Sequence, residues 1–164
     1  MRKLNLKPNP TPFAKRNYKD EANLELKNNR EINAFLLIYS YIEAYLRELT
    51  LLSGNRTRED FTDKIIKQFD RLNFPNLILF NLLNEDIDVI LYCKLLGIHE
   101  FRNKLAHEFI TIDVTNKNTL LEIKRVAQGS ILICDEVFKA YEKLIKKRTA
   151  VFDPKIFSPR VFKT

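Results

Sequence analysis

Residues 32–49 read INAFLLIYSYIEAYLREL. Ile32, Phe35, Leu36, Tyr39, Ile42, Leu46 and Leu49 recur at three- and four-residue steps. That period is the signature of one long helix with an apolar face. Ser53-Gly54-Asn55 ends it. The longest apolar run, Phe35 to Ile42, contains Ser40 and is far too short to span a bilayer. The stripe therefore belongs to a helical core, and no membrane partner is expected.

Working outward, the pattern turns helical from about Glu21. Residues 1–20 hold Pro8, Pro10 and Pro12 among basic residues and read as an extended arm. After the central helix, Thr57 is an N-cap with Asp60 at the capping-box position. The helix it opens buries Phe61, Ile65, Ile66, Phe69 and Leu72 and stops before Pro75. Asn76 to Asn84 reads as a brief apolar helix, and Glu85-Asp86 opens a long one reaching Phe109. Ile110 to Val114 is rich in β-branched residues and reads as extended. A last long helix starts at Thr115 or Asn116, with Gly129 as a candidate bend. Its apolar side carries Leu120, Ile123, Ala127, Ile131, Cys134, Phe138, Tyr141 and Ile145. The expectation is an all-α, up-and-down bundle of about four long helices and one short one. It occupies residues 21–150, with a basic tail at 151–164.

Composition supports that class. The chain has 164 residues, 3 glycines and no tryptophan, too few turn formers for a sandwich, a barrel or a Gly-rich nucleotide fold. At 45% hydrophobic and 30% charged residues it is too apolar for disorder. Cys93 and Cys134 stand alone in the sequence, which points to a reducing, cytoplasmic setting. Cys93 and His99 have the wrong spacing for zinc, and no metal or other cofactor is expected. The net charge of +7 is uneven: +5 in residues 1–30, −4 in 31–138 and +6 in 139–164. Basic ends on an acidic body suit a polyanion such as RNA, or serve solubility alone.

Both histidines fall within residues 97–109, GIHEFRNKLAHEF. On a helical wheel with Arg102 at zero, Ala106 lies near about 40°, His99 near about 60°, Asn103 near about 100° and His107 near about 140°. Ile87, Ile90, Leu91, Ile98, Phe101, Leu105 and Phe109 centre near about 300°. The wheel thus predicts a polar strip facing away from the core, with the small Ala106 allowing close approach of a symmetry mate.

Arg102-Asn103-Lys104-Leu105-Ala106-His107 resembles the Arg-Asn-x-x-x-His signature of the HEPN superfamily (higher eukaryotes and prokaryotes nucleotide-binding domains). Tyr41-Ile-Glu-Ala-Tyr-Leu-Arg47 is similar to the first long helix of many members. The resemblance implies a HEPN-like bundle and a homodimeric, metal-independent endoribonuclease whose two motif helices form one composite cleft. It implies Arg102, Asn103 and His107 as catalytic residues and RNA as substrate. A setting in toxin–antitoxin, phage-defence or stress response follows, with a cognate antitoxin or defence-system partner. One departure is Phe109, where some HEPN toxins carry a tyrosine that is nucleotidylated to silence them.

Three further residues are candidates for substrate binding or support. His99 either contacts RNA or lines the dimer seam. Glu43 falls inside the apolar arc and needs a partner: Arg47 at i,i+4, the preferred one, or Arg102 and its neighbours. Lys147, with Lys143, Lys146 and Arg148, either complements the helix dipole or tracks an RNA backbone. Lys104 points to solvent. Tyr39, Tyr41, Tyr45, Phe74 and Phe80 read as packing. Two other function classes compete: a non-catalytic HEPN-type module that binds RNA, nucleotide or a partner, and a helical DNA-binding regulator, for which no helix–turn–helix pattern is found.

Overall fold

The computed structural model describes residues 17–53, 71–108 and 116–151. These form an all-α bundle, α1 (Tyr18–Lys27), α2 (Glu31–Ser53), α3 (Phe74–Leu83), α4 (Val89–Glu108) and α5 (Lys117–Val151). The helix expected from Thr57 and the extended segment at 110–114 lie outside the described residues, as do most of the arm and the tail.

α2 is the spine, packing against α1, α3 and α5, while α4 rests on α3 and α5. Of the expected stripe Phe35, Ile42, Leu46 and Leu49 are fully buried, and Ile38, outside that stripe, is fully buried with them. Each such side chain contributes about 1.5–3 kcal/mol of transfer free energy. Leu36 departs from the expected stripe and is exposed. Buried Asn81 of α3 donates to the Leu46 carbonyl and Thr50 Oγ1 at 3.2 and 3.0 Å, tying α3 to α2. Among the described residues, no helix is long and apolar enough to cross a membrane.

The first helix starts at Tyr18, inside the stretch expected to be an extended arm. Asn17 caps it by accepting from the Asp20 amide, and Asp20 and Glu21 favour its N-terminal dipole. Its end at Asn28 is also unannounced by glycine. Asn29 adopts a left-handed φ of 53°, Arg30 N–H donates to the Glu25 carbonyl at 2.9 Å and Asn29 N–H to Leu26 at 3.3 Å. This pair of bonds closes a helix C-terminus and turns the chain into α2. The same closure ends α3: Glu85 has φ 58°, Asp86 N–H donates to Asn81 at 2.9 Å and Glu85 N–H to Leu82 at 3.0 Å.

Boundaries shift accordingly. α3 begins at Phe74, capped by Asn73, with Pro75 in its first turn where a missing N–H costs nothing. Glu85-Asp86 closes α3, and α4 starts at Val89 behind Asp88, whose carboxylate accepts from the Leu91 amide at 2.7 Å. α5 runs without interruption through Gly129. Tyr18 of α1 donates to the Asp135 carboxylate of α5, and Lys19 pairs with the same carboxylate at 2.8 Å.

Candidate functional site

The strip at the C-terminal half of α4 is built against α2 and the start of α3. The buried positions of α4 are Ile87 just before it, then Leu91, Leu95, Ile98 and Leu105. With Arg102 at zero they span about 300° to about 20° on the wheel. Ile90, expected in the core, is 69% exposed. Taking Ile90 for Leu95 turned the expected core away from Arg102. Arg102 therefore points within the core's own arc, near one side of it, and not to an opposite face. Its guanidinium reaches past the core to the surface, 6.0 Å above the centre of the Tyr39 ring. That placement is a cation–π contact at the outer limit of its range.

His99 is the hub of the cluster. Its ring stacks on Phe74 at 5.3 Å between centroids and 6° between planes. Phe74 in turn stacks on Tyr39 at 4.7 Å and 24°. The Tyr39 hydroxyl and His99 Nδ1 are 2.8 Å apart, and Asn103 Nδ2 lies 3.0 Å from His99 Nε2. Arg102 donates to Asn103 Oδ1 at 3.4 Å. Tyr39 and Phe74 are 8% and 4% exposed, so the clamp is part of the core, while Asn103 and His99 are half-buried.

Burial, helped by the Glu43 carboxylate and opposed by Arg102, pushes the Tyr39 hydroxyl up to about 12. It is a neutral phenol at any physiological pH. Burial and the neighbouring Arg102 charge hold His99 below the usual histidine range, with Glu100 and Glu43 acting in the opposite direction.

The other expected residues fall as follows. His107 lies one turn beyond Asn103 and is exposed, and among the described residues no hydrogen bond orients its ring. Ala106 is exposed beside it. Glu43 pairs with Arg47 at 2.6 Å, and Arg47 also donates to the Leu72 carbonyl at 3.1 Å. Glu43 therefore takes the i,i+4 partner and acts on His99 and Tyr39 only through its field. Lys147 is exposed on α5, and among the described residues no hydrogen bond or ion pair joins it to the strip. Cys93 is exposed, and Cys134 is buried with its thiol pushed up to about 12 by burial.

Tyr39 and Phe74 were legible only as packing residues. Both are packing residues, and both also hold His99. Two open grooves, of about 640 and 620 Å³, lie between α1 and α5 and between the α3–α4 turn and α5, and neither includes a residue of the strip. Among the described residues no three His, Cys, Asp or Glu side chains gather as a metal site.

The arrangement can present a guanidinium and, five residues on and about 140° around the helix, an imidazole to a ligand lying across the surface of α4. Among the described residues Arg102 has no carboxylate partner, so its paired N–H groups remain available to an anion. No protein-family model, curated protein or solved structure matches the chain.

Proposed function

We propose that this protein is an endoribonuclease of the HEPN type, acting as a homodimer with Arg102, Asn103 and His107 at a composite cleft. The observation that carries the reading is an exposed arginine without a carboxylate partner among the described residues, over Tyr39 and beside Asn103, followed five residues later by an exposed histidine about 140° around the helix. The resemblance of Arg102–His107 to the HEPN motif supports the same reading.

The residue types suit cleavage through the ribose 2′-hydroxyl. His107 removes the 2′-hydroxyl proton as the oxygen attacks the adjacent phosphorus. Arg102 receives the charge that builds on the phosphoryl oxygens through its paired N–H groups. The P–O5′ bond breaks, and the leaving 5′-oxygen takes a proton from His107 of the second protomer. The products are a 2′,3′-cyclic phosphate and a 5′-hydroxyl. No metal is needed for any of these transfers. Asn103, beside Arg102 and one turn before His107, aligns the guanidinium. The exposed Lys139, Lys143, Lys146 and Lys147 of α5 supply positive charge for an RNA backbone. The compartment fitting an RNA substrate is the cytoplasm, and the biological setting is defence or growth control with a neutralising or activating partner.

The test is cleavage in EDTA of one oligonucleotide sequence made as RNA, as DNA and as RNA with single 2′-deoxy substitutions. The reading expects cleavage of RNA alone, with each 2′-deoxy position resistant on its 3′ side. Arg102→Ala should lower the rate by about 10²–10³. Equal cleavage of DNA contradicts it. RNA binding without cleavage, unaltered by His107→Ala, favours the non-catalytic binding module.

A further inference from the structure

We infer that Tyr39 and His99 are positioning residues for Arg102, linked to it by a one-way chain of hydrogen bonds that holds only while His99 is uncharged. The kinetic part of this inference rests on the ribonuclease reading; the chain itself does not.

The direction of the chain is forced by donor and acceptor counting. A guanidinium has donors and no acceptor. Arg102, 3.4 Å from Asn103 Oδ1, therefore fixes which end of the amide faces it. The amide nitrogen is then the end that faces His99 Nε2 at 3.0 Å. An amide N–H₂ only donates, so Nε2 must carry its lone pair. A neutral imidazole has one proton, so it sits on Nδ1 and is donated to the Tyr39 oxygen at 2.8 Å. Every link points the same way: Arg102 to Asn103, Asn103 to His99, His99 to Tyr39.

The far end is rigid. Tyr39 is 8% exposed on α2, and Phe74, at the first position of α3, holds both rings by stacking. The near end is at the surface. The chain thus transfers the rigidity of the core to an exposed side chain that helix geometry alone leaves with several rotatable bonds.

A proton added to His99 breaks it. The new Nε2–H meets the Asn103 N–H₂, donor against donor. Turning the amide over repairs that contact and presents N–H₂ to Arg102, where two donors again meet. Either way one link is lost, and the guanidinium is no longer aligned. The charged and titratable groups around His99 are Glu100 and Arg102 on α4 and Tyr39 and Glu43 on α2; Phe74 from α3 carries no charge. Burial and Arg102 keep His99 neutral near pH 7, so the chain is intact there and opens on acidification.

Two measurements on the full chain test this. The first is the tautomer of His99, read from two-bond ¹H–¹⁵N correlations of the imidazole between pH 5 and 8. The expected result is a proton on Nδ1 in wild type, lost to a mixture of tautomers in Tyr39→Phe. A proton on Nε2, or no response to Tyr39→Phe, overturns the inference whatever the protein cleaves. The second is kcat and KM for RNA. His99→Phe keeps a ring on Phe74 but removes both links, and should lower kcat about tenfold with a smaller change in KM. His99→Gln presents an uncharged acceptor to Asn103; it should recover most of that loss and lack the acid limb that His99 gives the wild-type profile. Equal losses in His99→Phe and His99→Gln, or none in either, overturn the positioning role and leave the ribonuclease reading standing. If wild type does not cleave RNA, that reading falls, and the chain is decided by the tautomer and by the response of the Arg102 guanidinium resonances to Tyr39→Phe.

Discussion

Arg102 and His107 share one sequence pattern, yet Arg102 has contacts with its neighbours and His107, among the described residues, has none. Arg102 has a ring beneath it and an amide beside it; His107 stands exposed five residues further on. One turn before Arg102, His99, with no place in the motif, is the side chain most firmly built in. Its protonation links the site to stability. The folded protein holds His99 below its ordinary value, so on acidification the unfolded chain takes the proton first. The stabilisation from neutral His99 is complete above the ordinary histidine pKa and is lost as pH falls through the lowered one. Urea titrations from pH 7 downward should therefore show wild type losing stability in that window faster than His99→Phe. Parallel curves contradict the assignment. The residues proposed for the site were visible in the sequence only as a spaced Arg-Asn-x-x-x-His pattern. The sequence hid the role of Tyr39 and Phe74, because an aromatic at helical spacing looks the same whether its ring packs or its ring packs and holds a histidine.

At the scale of elements, helix interiors were legible and helix ends were not. α2 follows from its apolar steps without help. The ends of α1 and α3 use Asn29 and Glu85 at left-handed φ values of 53° and 58°. Glycine is the usual signal for that conformation, and this chain has only 3, none at these stops. Asparagine tolerates the left-handed region; glutamate does so at a cost. Glu85→Gly should therefore stabilise the fold by about 1 kcal/mol, read as a rise in Tm of about 2–4 °C. A fall in Tm would mean that the exposed Glu85 side chain contributes more than its backbone strain costs. α4 shows the opposite difficulty. Its apolar residues are plentiful, Ile90 is exposed, and counting it as core in place of the buried Leu95 rotates the helix. That rotation is why the strip was expected to face away from the bundle when Arg102 in fact points within the core's arc.

For the molecule as a whole, composition and period together point to the all-α class: few glycines, strand-like alternation confined to the short run Ile110 to Val114, and long stripes at helical spacing. The charge arrangement places Lys139 and Lys143 beside the α3–α4 turn, at the end of α4 away from Arg102. The lysines of the second half of α5 are exposed, and α5 packs on both α2 and α4, so the basic surface and the Arg102 strip belong to one helical body. The central claim is that this body cuts RNA with Arg102 and His107. The most direct measurement is the yield of 2′,3′-cyclic phosphate ends from a mixed RNA pool in EDTA, comparing wild type with His107→Ala purified to the same standard. The account predicts cyclic-phosphate ends from wild type and a yield lower by about 10²–10⁴ from the variant. Equal yields from the two proteins, or 3′-hydroxyl ends from wild type, would contradict it.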